Sequence, residues 1–334
     1  MELKLSILDQ TPIIKGSTAS MALNNSLALA KMADELGYHS ILYSEHHGVE
    51  AYGSSSPEIL AATVLASTKI IKVGTGGIMF RNYSAFKIAE WAKMLATFSP
   101  DRFILGLGKA PGGLKDAILA LNGHKLPILN NINEKLEELI AYLKDQNYKD
   151  TDLFAQPAHV SALPEITWLG SGENSAKEAA KYGISYSMAD FISEGANVEI
   201  RKMYLEEFNH SGYGRQPSFQ VAISVSVAES PELARYNAFG MVYQFLESRK
   251  ILAPGALKPS EEVQSLINGN DEDRLLFNAL LDKVVIGTPD TIHSKLEEKA
   301  LQYGTHDLVL LSNMFREEDR LFTYKSSIPE KRSK

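Results

Sequence analysis

Glu45, His46 and His47 stand side by side in the stretch YSEHHG, residues 43–48, directly after the apolar pair Ile41-Leu42. An acid beside two imidazoles has three chemical readings: metal ligation, proton transfer, or hydrogen bonding that closes a strand end. Successive side chains of a strand point to opposite faces. A strand running through this stretch therefore puts Glu45 and His47 on one face and His46 on the other. Histidines on opposite faces do not share one metal, and the H-E-x-x-H spacing is absent, so no metal site is expected. The parity gives Glu45 and His47 hydrogen bonds that hold neighbouring loops. His46 is left between a polar strand end and an acid–base group.

Other short apolar runs end in residues of equal interest. They lead into Asp9-Gln10-Thr11-Pro12, Gly74-Thr75-Gly76-Gly77, Gly106-Leu107-Gly108-Lys109 and Gly170-Ser171-Gly172. Repeated glycine at strand ends suggests that something bulky approaches the backbone closely, although barrels also use glycine for tight turns. TWLGSGENSAKEAAKYG reads as strand, Gly-Ser-Gly, then helix. Backbone N–H groups and a helix dipole aimed at such a turn hold phosphate. Ser171 and Ser175 add hydroxyl donors, and Lys109 supplies a cation. Ser175 stands where the dinucleotide fingerprint G-x-G-x-x-G has its third glycine, so that fingerprint is not met.

These residues need a frame that gathers strand ends. Strand patterns cover Leu3 to Leu8, Ser40 to Tyr43, Ile71 to Thr75, Phe103 to Leu107, Ile166 to Leu169, Ile184 to Met188, Phe219 to Val227 and Leu308 to Leu311. Helical patterns lie between them: Met21 to Leu36, Pro57 to Ser67, Ala85 to Phe98, Asn133 to Lys144, Ser175 to Tyr182, Asn197 to Asn209, Pro231 to Leu246 and Pro289 to Tyr303. Ser17, Thr18 or Ser20 can cap the first helix and Gly37 can stop it; Ser55 or Ser56 can cap the second. Eight alternating units fit an α/β fold of the (β/α)8 TIM barrel type, with a doubly wound open sheet as the alternative. The chain, 1–334, reads as a single barrel domain with an insertion before the last βα unit. That insertion, 250–283, contains APGALKPSEE and NGNDED, is polar and turn-rich, and reads as a lid or a surface excursion. Chemistry in such barrels sits at the C-terminal strand ends. Arg102 lies at a strand start, on the opposite rim, and reads as structural.

Composition narrows the partners. With 34 basic and 41 acidic residues the formal charge is −7. A mildly acidic chain has no global attraction for nucleic acid or anionic membrane. There is no cysteine, which removes disulfides, thiolate metal sites and thiol nucleophiles. MELKLSILDQTP is too short an apolar run for a signal peptide, and no run approaches the roughly 20 residues that span a bilayer. The expected location is cytoplasmic.

The segments LGYHSILYSEHHG, SSSPEIL, IKVGTGGIMF, DRFILGLGKAPGG, WLGSGENSAKEAAKYG and VVIGTPDTI together resemble the bacterial luciferase-like flavin monooxygenases. They occur in the family's order, and the likeness is nearest to its single-chain oxidoreductases. The resemblance implies a (β/α)8 barrel holding FMN, as FMNH2, at its C-terminal face. It places His46 beside the flavin, and with the glycine ends this favours an active-site role for His46. It puts Gly76-Gly77, often joined by a non-proline cis peptide, against the isoalloxazine ring. It sets Ser171, Gly172 and Ser175 in the phosphate turn. Lys109 falls where the family commonly has arginine; lysine keeps the charge but loses the bidentate fork. The implied activity is oxygenation of a small organic substrate with O2 and reduced FMN from a separate flavin reductase. Three other readings stay open: an oxidoreductase using deazaflavin F420, a flavin-binding barrel without turnover, and a lyase or isomerase acting on a phosphorylated sugar. A homodimer also stays open.

Overall fold

Ten strands and thirteen helices follow one another along the described residues of a computed structural model, which are 2–110, 112–128, 131–193, 197–214, 216–250 and 253–329. Pro111 of the motif after the fourth predicted strand, and residues 251 and 252 of the predicted insertion, lie outside them. The first half runs β1 (Lys4–Asp9), α1 (Ala19–Leu36), β2 (Ser40–Tyr43), α2 (Pro57–Ser67), β3 (Lys72–Thr75), β4 (Ile78–Met79), α3 (Ala85–Phe98), β5 (Phe103–Gly108), α4 (Lys115–Leu121) and α5 (Ile132–Leu143). The second half runs β6 (Glu165–Gly170), α6 (Glu173–Tyr182), β7 (Ser185–Ala189), α7 (Val198–Glu206), β8 (Phe219–Val227), α8 (Pro231–Asn237), α9 (Phe239–Arg249), α10 (Ser260–Asn268), α11 (Asp271–Leu281), β9 (Val285–Gly287), α12 (Ile292–Tyr303), β10 (Asp307–Leu311) and α13 (Glu317–Ser327).

Strands β1, β2, β3, β5, β6, β7, β8 and β10 pair in that order, all parallel, and β10 returns to both β8 and β1. The result is a closed (β/α)8 barrel, as the alternation predicts, and not an open doubly wound sheet. The two additional strands are short. β4 extends β3 past Gly76-Gly77 and pairs with the end of β5, and β9 pairs with the end of β8.

Strand alternation sorts the side chains. Leu5, Ile7, Ile41, Val73, Phe103 and Leu105 face the helices in the main core, while Leu8, Leu42, Ile104, Ala222, Val309 and Leu311 form a separate cluster. At the N-terminal end polar groups close the barrel: Lys4 pairs with Asp307 at 2.8 Å and Lys72 with Glu165 at 3.2 Å. Arg102 donates to the carbonyls of Ile71 and Thr68 at this rim, the structural role its position suggests. Helix signals also act locally. The Thr18 hydroxyl caps α1 by accepting from Met21 N–H, and Gly37 ends it in the left-handed region at φ 87°.

Four helical features depart from the sequence reading, the first being α4 (Lys115–Leu121), which it did not contain. The predicted helix over 231–246 divides into α8 and α9. The stretch 250–283 is not mainly turns: it contains α10 and α11. Their residues Val263, Ile267, Phe277, Leu280 and Leu281 join the cluster of Leu8, Leu42 and Leu311 through Met241 and Val242 of α9. Each helix opens on an acidic first turn before its apolar stripe, which reads as polar in short windows. The strap before α10 is tied down as well: Leu257 N–H donates to Ile13 O at 2.7 Å, and Lys15 N–H donates to Leu257 O at 2.9 Å. Last, α13 gave no apolar pattern because its buried face is polar: Arg320, Thr323, Tyr324 and Ser327.

Arg320 explains that face. Its guanidinium lies 2.6 Å from Asp9 Oδ1, with side-chain exposures of 1% and 0%, and donates to Ser312 O. Burial alone would lower the arginine pKa, but Asp9 and then Glu317 outweigh it and raise it. The pair fastens the end of β1 to α13. Among the described residues no helix is long and apolar enough to cross a membrane.

Removing one partner of a buried pair strands the other charge. Arg320→Ala is expected to lower unfolding free energy by about 3–5 kcal/mol, seen as a lower urea midpoint. A midpoint within error of wild type contradicts the role given to this pair.

Candidate active site

At the C-terminal end of the strands lies a cavity of about 660 Å³, within the size range of small-molecule sites. His46, Gly76, Gly77, Lys109, Ser171 and Ser175 all line it. Gly172 is not among the lining residues; it is the N-cap of α6. Two other hollows, about 440 and 890 Å³, are on the opposite rim, beside Lys72 and Glu165 and beside Lys4 and His39. Barrel chemistry belongs at the C-terminal face, so the 660 Å³ cavity is the candidate.

β2 ends at Tyr43, yet its alternation persists through the next four residues. Glu45 is fully buried, and both its oxygens are engaged. Oε2 accepts from Met79 N–H at 2.9 Å; Oε1 accepts from Tyr83 Oη at 2.8 Å and lies 2.6 Å from His47 Nε2. His47 is held further by its backbone, donating to Gly112 O and accepting from Leu114 N–H. Glu45 and His47 thus clamp the loops that follow β3 and β5, and neither side chain is free to react.

His46 points the other way, into the cavity wall. Its Nδ1 is 3.2 Å from Ser44 Oγ. Its ring stacks on Tyr52, with centroids 4.0 Å apart and planes 25° from parallel. Burial, and then the neighbouring His47, lower its pKa to about 4. The imidazole is therefore neutral at physiological pH. With Nδ1 turned to Ser44, Nε2 is the nitrogen left without a partner among the described residues.

The glycine signal has a different cause from the one the sequence suggests. A Cβ on Gly74 would lie 2.3 Å from Ile104 O, on Gly106 2.0 Å from Thr75 O, and on Gly77 2.4 Å from Leu169 Cδ1. On Gly76 it would meet Leu42 Cβ at 2.8 Å. These four glycines are required by the barrel's own packing, Gly74, Gly77 and Gly106 where the chain of β3 meets β5 and β6 and Gly76 against Leu42 of β2 and Leu8 of β1, not by an approaching ligand. Thr75 fixes the same seam, donating to Gly106 O at 2.7 Å and accepting from Gly106 N–H at 2.9 Å. Of the described glycines at these strand ends, Gly108 and Gly172 have room, their nearest atoms being at 3.5 Å and beyond 4 Å. The Gly76-Gly77 peptide is cis.

The β6 end forms the polar pole of the cavity. α6 begins at Glu173 with Gly172 as N-cap and no side-chain cap, so its first N–H groups are open to an anion. Neither the Ser171 nor the Ser175 hydroxyl has a partner among the described residues. Lys109 is less available than its position suggests. Its Nζ sits 2.7 Å from Glu178 Oε2, which also accepts from Trp168 Nε1 at 3.0 Å. An anion here would share Lys109 with Glu178.

Several lining residues escaped the sequence reading: Ser44, Tyr52, Phe191, Phe245 and Arg249. Tyr52 reaches the site only because it bridges to Pro12 in the loop after β1. Nothing in EAYGSSS signals that pairing.

Residues 1–306 match the family model described as luciferase-like monooxygenase. The N-acetyl-S-alkylcysteine monooxygenase of Bacillus subtilis (strain 168) is 31% identical over 97% of this chain and 96% of its own length. The crystal structure of apo-MsnO8 superimposes with a TM-score of 0.87 at 28% identity, covering 98% of each chain. Two more distant barrels share the fold. One is the oxygenating constituent of 3,6-diketocamphane monooxygenase from a Pseudomonas putida plasmid, in complex with FMN (TM-score 0.71, 17% identity, 99% of this chain and 98% of that one). The other is an F420-dependent secondary alcohol dehydrogenase (TM-score 0.67, 14% identity, 100% of each).

The lowered pKa of His46 has a measurable sign. Unfolded histidine takes its proton near 6.5, whereas the native imidazole resists it until about 4. The unfolded state binds more protons between these values, so this group's stabilising share is present above pH 6.5 and is lost as pH falls toward 4. Nitrogen-15 NMR of labelled histidine should show His46 neutral at pH 5.5. A midpoint near 6.5 contradicts the burial described.

Proposed function

This chain belongs to the luciferase-like monooxygenase family, and from that premise we propose that it is an FMN-dependent monooxygenase that oxygenates a small organic substrate. Reduced FMN would come from a separate flavin reductase, and O2 from solution. The observation that carries the reading is one cavity with an uncapped helix N-terminus at one pole and a neutral, cavity-facing histidine on its wall.

The residues present fit FMN. Ser171, Ser175 and the first turn of α6 would hold the phosphate, with Lys109 shared between it and Glu178. The cis Gly76-Gly77 wall would take the flat face of the ring, and Gly108 leaves space beside it. The chemistry supplied by bound reduced FMN is two-electron activation of O2, with one oxygen atom going to the substrate. His46 holds a proton at Nε2 when Ser44 donates to Nδ1, and it can donate that N–H in a hydrogen bond to an oxygen in the cavity. Tyr52 keeps its plane. Residues 253–283, tied to the β1 loop through Leu257, would close over the site and exclude water.

F420 is the rival cofactor, because a barrel of this shape serves an F420-dependent dehydrogenase. Its longer acidic tail would need unpaired cations beyond the phosphate. At the β6 end Lys109 and Lys177 are each already paired, with Glu178 and Glu173, and Arg249, which has no counter-ion among the described residues, belongs to α9, on another part of the wall. That favours FMN.

Oxygenated product per reduced FMN, measured with a flavin reductase and a thioether panel, tests the reading. His46→Ala should cut coupled oxygenation about 10²–10⁴-fold while peroxide release rises. His47→Ala should instead lower stability by about 1–3 kcal/mol with coupling kept. The reverse pattern contradicts the assignment. In binding titrations, Ser175→Ala should weaken FMN by about 1.5–3 kcal/mol and leave riboflavin, which lacks the phosphate, unchanged. Equal losses would remove the phosphate turn. Hydrogen exchange in residues 253–283 should slow when flavin and substrate bind; unchanged exchange would make the segment a surface excursion.

A further inference from the structure

The cavity has a second pole. Opposite the β6 end, its wall is completed by Phe245, Ser248 and Arg249 from the last turns of α9 and by Pro254. Between the poles the lining is mostly apolar. Phe191, just after β7, stacks on Phe245 with centroids 5.7 Å apart. Tyr52 closes the side nearest His46. Its hydroxyl has no partner among the described residues, and it feels the charge of Glu247, which places it near the end of α9.

Arg249 is the charge at this pole with no counter-ion among the described residues. Its neighbours are already satisfied. Glu247 pairs with Lys258 at 3.2 Å and accepts from Gly255 N–H at 3.3 Å. Lys250 pairs with Asp273. The cation at the other pole, Lys109, is countered by Glu178. The two poles therefore differ in kind: one offers uncapped amides and hydroxyls, the other an uncompensated guanidinium above an aromatic wall.

We infer that the substrate is an apolar molecule bearing one carboxylate, and that Arg249 is the residue that reads it. This rests on the proposal that the β6 pole takes the FMN phosphate, which leaves the α9 pole for substrate. A guanidinium matches a carboxylate with two parallel N–H donors. The phenol of Tyr52 adds a donor on the same side. Phe191 and Phe245 would hold the apolar body between the carboxylate and His46. A cation in the last turn of a helix also complements the helix dipole, but that role requires no place in the cavity wall and produces no preference among ligands.

Isothermal titration of the full chain, with and without FMN, separates these accounts. The probes are benzylthioacetate, phenylacetate and hexanoate, each beside its methyl ester. In at least one pair the acid should bind roughly 10- to 100-fold tighter than the ester, as expected for a hydrogen-bonded charge pair. The preference should shrink with added salt, because the guanidinium is exposed. Arg249→Gln should abolish it while ester affinity, FMN affinity and melting temperature stay unchanged. No acid preference in any pair overturns the inference, and so does a preference that survives in Arg249→Gln. A loss of FMN affinity in that variant also overturns it, since the cation would then serve the cofactor. Failure of the FMN reading itself shows separately, as absent FMN binding, and the titrations without FMN still test Arg249.

Discussion

The carboxylate of Glu45 is buried where water does not reach, so every one of its contacts must come from the protein. A buried charge without partners is costly. Here a backbone N–H from β4, the hydroxyl of Tyr83 and the ring of His47 all converge on it. Meeting that demand fixes the loops after β2, β3 and β5 relative to one another. It also uses up Glu45 and His47. By strand parity, the residue between them is then turned out of this network and into the cavity. The placement of His46 is a consequence of satisfying Glu45.

The same economy governs the neighbouring seam. β3 and β5 approach so closely that Thr75 Oγ1 bonds both to Gly106 O and to Gly106 N–H, and no side chain fits at Gly74, Gly76, Gly77 or Gly106. At Gly76 and Gly77 the floor of the cavity is thus bare backbone, for reasons internal to the barrel. A planar ring can use such a floor, but the glycines alone do not report one. Farther round, β6 ends in Gly170, where a Cβ would strike Ser175 at 2.4 Å. Glycine permits that close approach at the turn into α6, whose first N–H groups have no side-chain cap.

Much of this was legible in the sequence because it obeys short-range rules. Period-two and helical patterns recovered the eight barrel strands, since each is short, apolar and bounded by turn residues. Parity through YSEHHG separated His46 from Glu45 and His47 although regular pairing stops at Tyr43. What stayed hidden depends on long-range contact. The polar inner face of α13 makes sense only beside Asp9, some 300 positions away in the chain. Lys109 reads as an available cation until Glu178, on another element, is found against it. Tyr52 and Arg249 enter the cavity through loop pairing and the packing of α9, which leave no periodic trace. The helices of 250–283 were missed because two short helices that open on acidic first turns resemble a polar loop.

The fold is shared with barrels described with FMN and with F420; the two poles of the cavity suggest how this chain would use it. The central claim is spatial: FMN lies with its phosphate at the start of α6 and its ring on Gly76-Gly77, leaving His46 and the α9 pole to the substrate. A crystal structure of the chain grown with FMN tests it most directly. The account predicts the phosphate bonded to Ser171, Ser175 and the first amides of α6, with the ring in contact with the cis peptide and His46 facing its reactive edge. Flavin bound with its phosphate at Arg249, or on the opposite rim of the barrel, would contradict it.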